Sequence, residues 1–136
     1  MIARAATFAA VFAALYAAHM VADYWVQTQA QATAKAWPGW RGRRACLAHV
    51  GTYTLTAILA LLALVWRTHL YLDPVRPWIG LGVSAGSHYL LDRRWLLAWA
   101  ARVTHRDPVW LERGGAAAQD QAAHVGFLFL AALVIC

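Results

Sequence analysis

Charged residues are scarce in this chain, at 13% of its 136 residues, and only six residues are acidic. Hydrophobic residues make up 62% of the sequence. A soluble domain is usually about half apolar and about a quarter charged, so this composition excludes an ordinary soluble protein. The chain also has only two cysteines, Cys46 and Cys136. They lie at opposite ends of their apolar segments, so we expect no disulfide between them.

Long apolar segments are what the sequence contains instead, and its mean hydropathy is +0.47. A helix needs about 20 apolar residues to cross the hydrocarbon core of a bilayer. Four segments approach this length, at roughly 2–26, 46–66, 77–91 and 116–136. The third is the weakest because the charged run DRR interrupts it, and we interpret the following WLLAWAARV as an interfacial helix. The sequence predicts an all-α membrane protein, with four transmembrane helices in a compact bundle that forms one domain over residues 1–136.

Basic residues cluster in the loops that follow the first and the third apolar segments. Nine lie in these loops, namely Lys35, Arg41, Arg43, Arg44, Arg93, Arg94, Arg102, Arg106 and Arg113. Positively charged loops stay in the cytoplasm, so we expect a multi-pass protein of the bacterial inner membrane with both termini outside. An alternative is that the first segment is a signal peptide cleaved near Ala18, which would leave three spans.

The net charge of +6 at pH 7 then forms a basic collar on the cytoplasmic side. Such a collar attracts membrane lipids with anionic headgroups and other phosphate-bearing ligands. The residues expected to bind a phosphate-bearing substrate are Lys35, Arg93 and Arg94. Lys35 is expected to extend its ammonium group towards the membrane surface. No motif of a DNA- or RNA-binding fold accompanies the charge, so we expect no specific nucleic-acid partner.

Ionisable residues inside the apolar segments follow a single spacing. Three of the acids lie four residues from a histidine, which puts both members of a pair on one face of a helix. These pairs are His19 and Asp23, His88 and Asp92, and Asp120 and His124. His49 stands at the start of the second segment. Ionisable groups within membrane spans are costly and usually functional, and the expected topology brings all seven residues to one depth, so we expect one site.

Imidazole and carboxylate groups are ligands of zinc, iron and manganese, so this site is predicted to bind a divalent transition metal, with zinc preferred. Seven donors suit two ions, or one ion with carboxylates that orient the histidines. In a hydrolase, the general base would be Asp23, Asp92 or Asp120. Three neighbouring residues are expected to support the ligands through hydrogen bonds, and they are Gln27, Tyr53 and Gln121.

Four motifs resemble, in this order, those of a bacterial membrane family called domain of unknown function 3307. They are AHMVADYWVQTQAQATAK, LAHVGTYTL, SHYLLD and DQAAH, and the resemblance covers nearly the whole chain. The one departure is Ala22, where the family pattern has glycine. The resemblance implies a four-helix membrane protein and gives no activity. A looser likeness to membrane-bound metal-dependent hydrolases supports the metal site by analogy only.

The function expected from these residues is metal-dependent hydrolysis of a lipid or of a phosphate-bearing substrate. One alternative is an ion or proton transporter that uses the same histidines and aspartates, although the outer half of the spans offers few polar groups for a path. Another is a non-enzymatic assembly or phage-related factor in which the polar residues only join the helices. The sequence leaves open whether the protein forms a homo-oligomer.

Overall fold

The computed structural model describes residues 2–136, and all secondary structure in this range is helical. The all-α class expected from the sequence is therefore confirmed. The α-helices of this range are α1 Ile2–Val21, α2 Gln29–Ala34, α3 Gly39–Thr68, α4 Arg76–Asp92, α5 Trp95–Val103, α6 Pro108–Trp110 and α7 Ala116–Ile135. Two π-helical turns accompany them, Ala22–Val26 after α1 and Leu111–Gly115 before α7.

Within residues 2–136, three helical segments are long and apolar enough to cross a membrane, and they are Ile2–Val26, Gly39–Thr68 and Pro108–Ile135. This is consistent with the expected membrane protein. The remaining apolar segment forms α4, which has 17 residues. At 1.5 Å per residue, α4 is about 26 Å long, somewhat shorter than the hydrocarbon core of a bilayer. The expected interfacial helix, α5, is separated from α4 because Arg94 has a left-handed backbone with φ +61°.

The chain turns sharply where α1 ends and where α7 begins. In the π-helical turn after α1, the Gln27 N–H donates a hydrogen bond to the Ala22 carbonyl oxygen at 2.8 Å. Gln27 then adopts an extended backbone, and α2 begins with a capping box formed by Thr28 and Gln31. Before α7, Gly114 has a φ of +106°, a conformation that suits glycine because it has no Cβ.

Helices α4 and α7 pack against each other in opposite directions. At the start of α4, the Arg76 guanidinium donates a hydrogen bond to the Cys136 carbonyl oxygen at 3.0 Å. One turn further on, Gly80 leaves no room for a side chain, because a Cβ there would overlap Ile135 and the backbone of Ala131. This close contact fixes the register of the two helices, so that Asp92 at the end of α4 lies near the start of α7.

The four long helices each contact two of the others, since α1 packs against α3 and α7, and α4 packs against α3 and α7. Their buried aliphatic side chains form the apolar core, which includes Val11, Leu15, Ala57, Leu61, Leu81, Leu128, Ala131 and Ile135. This core fills the half of the molecule that contains the start of α1 and the end of α7. We call this half the apolar half. The other half contains the buried histidines His19, His49, His88 and His124, and we call it the polar half.

Candidate metal centre

The polar half brings four histidines from four helices into contact. His19 comes from the end of α1, His49 from α3, His88 from α4 and His124 from α7, and each is at most 3% exposed. The ring centroids of His88 and His124 are 4.4 Å apart, and those of His49 and His88 are 5.0 Å apart. His19 stacks on His124 at 5.1 Å. The expected convergence of the histidines is therefore present in the structure.

Two carboxylates lie against the pair formed by His49 and His88, whose Nε2 atoms are 3.0 Å apart. Asp92 Oδ2 lies 3.4 Å from His49 Nε2 and 3.5 Å from His88 Nε2. Asp23 Oδ1 lies 3.3 Å and 3.5 Å from the same two nitrogens. Ligand atoms about 2.1 Å from a tetrahedral zinc ion are about 3.4 Å apart, so these separations match the edges of such a site.

In the part of the chain that the structure describes, two sets of three residues have ligand atoms close enough to share one ion. The first set is His49, His88 and Asp92, and the second is His19, Asp23 and His88. His88 belongs to both sets. Because one imidazole nitrogen has one lone pair, His88 Nε2 can bind only one ion at a time. His88 is therefore the residue on which either arrangement depends.

Several buried polar atoms of this cluster have no hydrogen-bond partner within residues 2–136. They are His19 Nδ1, Asp23 Oδ1, Gln27 Nε2, His49 Nδ1, Asp92 Oδ2 and His124 Nε2. A buried polar atom without a partner usually costs about 1–3 kcal/mol. The two carboxylate oxygens lie close to imidazole nitrogens but are not aligned with them as hydrogen bonds. Carboxylate oxygens and imidazole nitrogens that lie this close together can all bind the same cation. These residues could therefore hold a metal ion.

The hydrogen bonds around the histidines orient several of their rings. His124 Nδ1 donates to the Asp120 carbonyl oxygen at 2.9 Å, which leaves the lone pair on Nε2. His124 Nε2 lies 3.9 Å from Asp92 Oδ1. On the other side, His19 Nε2 lies 3.1 Å from Gln121 Oε1 and therefore donates to it. A backbone carbonyl or side-chain amide that orients an imidazole is typical of metal-binding histidines.

Tyr53 supports His88 through its ring rather than through its hydroxyl. The two ring centroids are 4.0 Å apart, and the Tyr53 hydroxyl forms a hydrogen bond with Ser84. Sequence reasoning did not assign Ser84 to the site. Its position four residues before His88 on α4 is the signal that could have identified it, because this spacing puts both side chains on one face.

Asp120 differs from the other two aspartates of the predicted site. Its Oδ1 lies 3.7 Å from His124 Nδ1, and its side chain is 29% exposed, whereas the side chains of Asp23 and Asp92 are 8% and 1% exposed. Asp120 therefore lies at the margin of the centre, between His124 and the surface. Gln27, expected to support the ligands, has a buried amide nitrogen without a partner among the described residues.

The position of Lys35 differs from the expected one. Instead of extending to the membrane surface, the Lys35 ammonium lies 2.7 Å from Asp92 Oδ1, and the residue is 8% exposed. Arg93 holds this segment in place, since its guanidinium donates to the carbonyl oxygens of Lys35 and Trp37 at 2.6 and 2.8 Å. Lys35 is thus used inside the protein because the buried Asp92 carboxylate needs a counter-charge, and Arg93 is used to hold the backbone that positions Lys35. Of the three expected phosphate-binding residues, Arg94 is exposed.

The sequence model of the family "Protein of unknown function (DUF3307)" matches residues 11–136. The chain belongs to this family. The match covers nearly the whole chain and includes every residue of the centre, so the resemblance inferred from the four motifs is confirmed. No curated protein and no solved structure matches the chain. The DUF3307 family has no known function, and the activity of this member has to be inferred from the centre itself.

Proposed function

We propose that this DUF3307 protein is a membrane-embedded metal-dependent hydrolase that acts on a lipid or another phosphate-bearing substrate. The observation that carries the proposal is the close cluster of imidazole nitrogens and carboxylate oxygens around His88, in which Asp23 Oδ1 and Asp92 Oδ2 have no hydrogen-bond partner among the described residues. Helices α3 and α4 and the π-helical turn after α1 contribute these atoms, and the contacts of His49 and His88 with each other and with the two carboxylates are 3.0–3.5 Å long. A purely structural network would be expected to align these groups as hydrogen bonds, because each unpaired buried group destabilises the fold.

The first ligand set, His49, His88 and Asp92, is the one we assign to the ion. Two imidazoles and one carboxylate, with one position left for water or substrate, are typical of catalytic zinc sites. Zinc is therefore the metal that we propose, in preference to iron or manganese. When bound, zinc supplies a Lewis acid that lowers the pKa of its water to about 7 and polarises an ester or phosphoryl oxygen.

The buried charges are consistent with a bound cation. Asp23 and Asp92 contribute two negative charges to the cluster, and Lys35 contributes one positive charge, so one negative charge is left if the histidines are neutral. Burying an unpaired carboxylate is costly, and a divalent ion removes that cost. Asp120 is the residue that we assign as general base, because its carboxylate is partly exposed and lies beside the centre.

In the membrane, we propose four crossings with both termini outside and the polar half on the cytoplasmic side of the bacterial inner membrane. The polar ends of α1, α3, α4 and α7 meet at one end of the protein, so α4 would be the third crossing despite its shorter length. The nine basic residues of the loops at this end favour the cytoplasmic side.

Cysteine labelling tests this topology. In a background without native cysteines, Thr33→Cys and Thr104→Cys should react with a membrane-impermeant maleimide only in inverted vesicles. Thr68→Cys, at the opposite end of α3, should react only in right-side-out vesicles. Labelling of Thr33→Cys or Thr104→Cys from the outside would contradict the proposed placement of the centre.

The hydrolase proposal is tested by turnover with and without metal. Metal-stripped protein, with or without added zinc, is incubated with a panel of phosphomonoesters, phospholipids and carboxylic esters, and the products are measured by mass spectrometry. We expect zinc-dependent hydrolysis that His88→Ala abolishes. His69→Asn serves as the matched control, because His69 lies in a loop and asparagine tolerates its left-handed backbone. If the zinc-loaded protein hydrolyses no member of the panel, the hydrolase proposal is wrong.

A further inference from the structure

A cavity of about 540 Å³ lies between α5 and the start of α7. One wall is apolar and includes Leu97, Ala98 and Ala101 of α5, while Arg94 and Asp120 contribute polar groups to the lining. Cavities of 300–1,000 Å³ with mostly apolar walls and a few polar groups are typical of small-molecule sites. This cavity is therefore large enough to hold a ligand that has both an apolar and a polar part.

Asp120 connects the cavity to the candidate metal centre. Its side chain lines the cavity and also lies 3.7 Å from His124 Nδ1, whereas His124 itself is buried behind it. A ligand in the cavity would therefore meet the carboxylate that we assign as general base, at the margin of the centre. This position is that expected for a substrate.

Arg94 supplies the positive charge of the cavity lining. The ion pairs within residues 2–136 all lie at the metal centre, so the Arg94 guanidinium pairs with neither Glu112 nor Asp120. Its backbone has a φ of +61°, a conformation that is unfavourable for residues other than glycine. An arginine kept in such a position at the edge of a cavity is a candidate for ligand binding.

The surroundings of the cavity indicate that it opens at the boundary between lipid and water. Trp95 and Trp99 of α5 are 60% and 56% exposed, and exposed tryptophans on a short helix favour the headgroup level of a membrane. Residues 93–113 contain five arginines and two acids, a net charge of +3. A ligand that reaches the cavity from this boundary would have an alkyl chain and a negatively charged headgroup.

We infer that the cavity binds a single-chain or diacyl amphiphile with one phosphate group, which is the substrate class of the proposed hydrolase. Arg94 binds the phosphate, and Leu97, Ala98 and Ala101 contact the alkyl chain. The carboxylates of Glu112 and Asp120 also line the cavity and, with Arg94, give its lining a formal charge of −1, so a headgroup with more than one phosphate is repelled. The inference rests on the proposed function only in calling this ligand a substrate, since binding itself requires no metal.

Binding is measured on the full-length, metal-stripped protein, so that a failed hydrolase proposal does not affect the result. Native mass spectrometry from a phosphate-free detergent follows the retention of lysophosphatidate. Monoacylglycerol with the same chain and inorganic phosphate serve as competitors that separate the lipid from its parts. We expect lysophosphatidate to bind. Each competitor should displace the bound lipid at least about tenfold less effectively than added unlabelled lysophosphatidate does, because a charge-assisted contact contributes a factor of this size.

Three variants test the site. Arg94→Gly removes the guanidinium but suits the left-handed backbone, so we expect about tenfold weaker binding in a protein of unchanged or higher thermal stability. Ala98→Trp fills the cavity from the exposed helix α5 and should abolish retention of the lipid. Arg102→Gln is the matched control on the same helix, and it should bind as the wild type does. Wild-type binding by Arg94→Gly or by Ala98→Trp, or equal displacement by monoacylglycerol, would overturn the inference.

Discussion

The two halves of this protein are built from the same four long helices but differ completely in what those helices bury. In the apolar half, the core consists of aliphatic side chains such as Leu15, Leu61, Leu81 and Leu128. In the polar half, the same helices and the π-helical turn after α1 bury four histidines and the side chains of Asp23 and Asp92, and several atoms of these residues lack hydrogen-bond partners among the described residues. Buried polar atoms without partners are costly to folding, so the polar half is the part that we propose serves a chemical function.

The contrast also bears on the alternative of an ion or proton transporter. A transport path needs polar groups along the whole length of the spans. In the described residues, the core continues from the histidines into the apolar half through Leu15, Ala57 and Leu128, none of which can carry a proton or bind an ion. The absence of polar groups in this part of the described core counts against a transport path and agrees better with the proposed reaction at the end that contains the centre.

The largest effect is expected where the two ligand sets share a residue. His88→Ala removes a ligand from both sets, so we expect metal affinity to fall at least about 100-fold, which exceeds the effect of losing a supporting hydrogen bond. Metal affinity is measured by competition with a chelator of known strength. His69→Asn should not change it. If His88→Ala binds metal as the wild type does, the contrast between the halves does not reflect metal binding.

Lys35→Met leaves the buried Asp92 carboxylate without its 2.7 Å partner. We expect the metal-free protein to lose about 3 kcal/mol in the free energy of unfolding, because a buried charge is then uncompensated. Added zinc should restore most of this loss, since the ion replaces the lost counter-charge. Denaturation in mixed micelles, with and without zinc, measures both effects. A loss that zinc does not reduce would show that Asp92 is no metal ligand.

Leu15→Ala removes most of a buried side chain from the apolar half, where Leu15 is completely buried. We expect a loss of about 2 kcal/mol in stability, near the lower end of the usual range, because lipid is as apolar as the core and only packing is lost. Metal affinity should remain unchanged. The same denaturation and competition measurements apply. A weakened metal affinity would mean that the two halves are not independent.

Gln121→Leu gives the smallest of these effects. It removes the oxygen that accepts a hydrogen bond from His19 Nε2 at 3.1 Å, but it leaves all proposed ligands in place. Because His19 is not among the three ligands that we assign to the ion, we expect metal affinity to fall less than about tenfold, the lower end of the effect of losing a hydrogen bond that supports a ligand. Gln119→Leu, two residues earlier on α7, is the control that should not change the affinity. An equal effect of both variants would exclude a specific role for Gln121.

The helices and the histidine–aspartate pairs could be predicted from the sequence because both depend on local spacing. Apolar length gives α1, α3 and α7, and a separation of four residues gives the pair formed by His88 and Asp92. The contact between Lys35 and Asp92 could not be predicted in this way, because the two residues are far apart in sequence. It depends on the π-helical turn Ala22–Val26 and on the return of the chain through α2, which leave no strong pattern in the sequence.

The partial exposure of Asp120 also could not be predicted from residue spacing. Its separation from His124 is the same as that of the buried pairs, so the sequence predicted the same environment for all three aspartates. The difference arises from the kink at Gly114 and from the cavity beside α5, which expose one side of the start of α7. Spacing thus identifies which residues share a helix face, whereas the loops decide which of them a ligand can reach.

Metal binding in the polar half is tested most directly by the metal content of the protein purified gently without added metal. Elemental analysis, combined with X-ray absorption at the edge of the metal found, gives the stoichiometry and the ligand types. We predict one transition-metal ion per chain, bound by nitrogen and oxygen ligands and lost in the His49→Ala variant. Absence of a stoichiometric metal, together with a His49→Ala variant that behaves as the wild type, would contradict the account and would make the polar half a structural network.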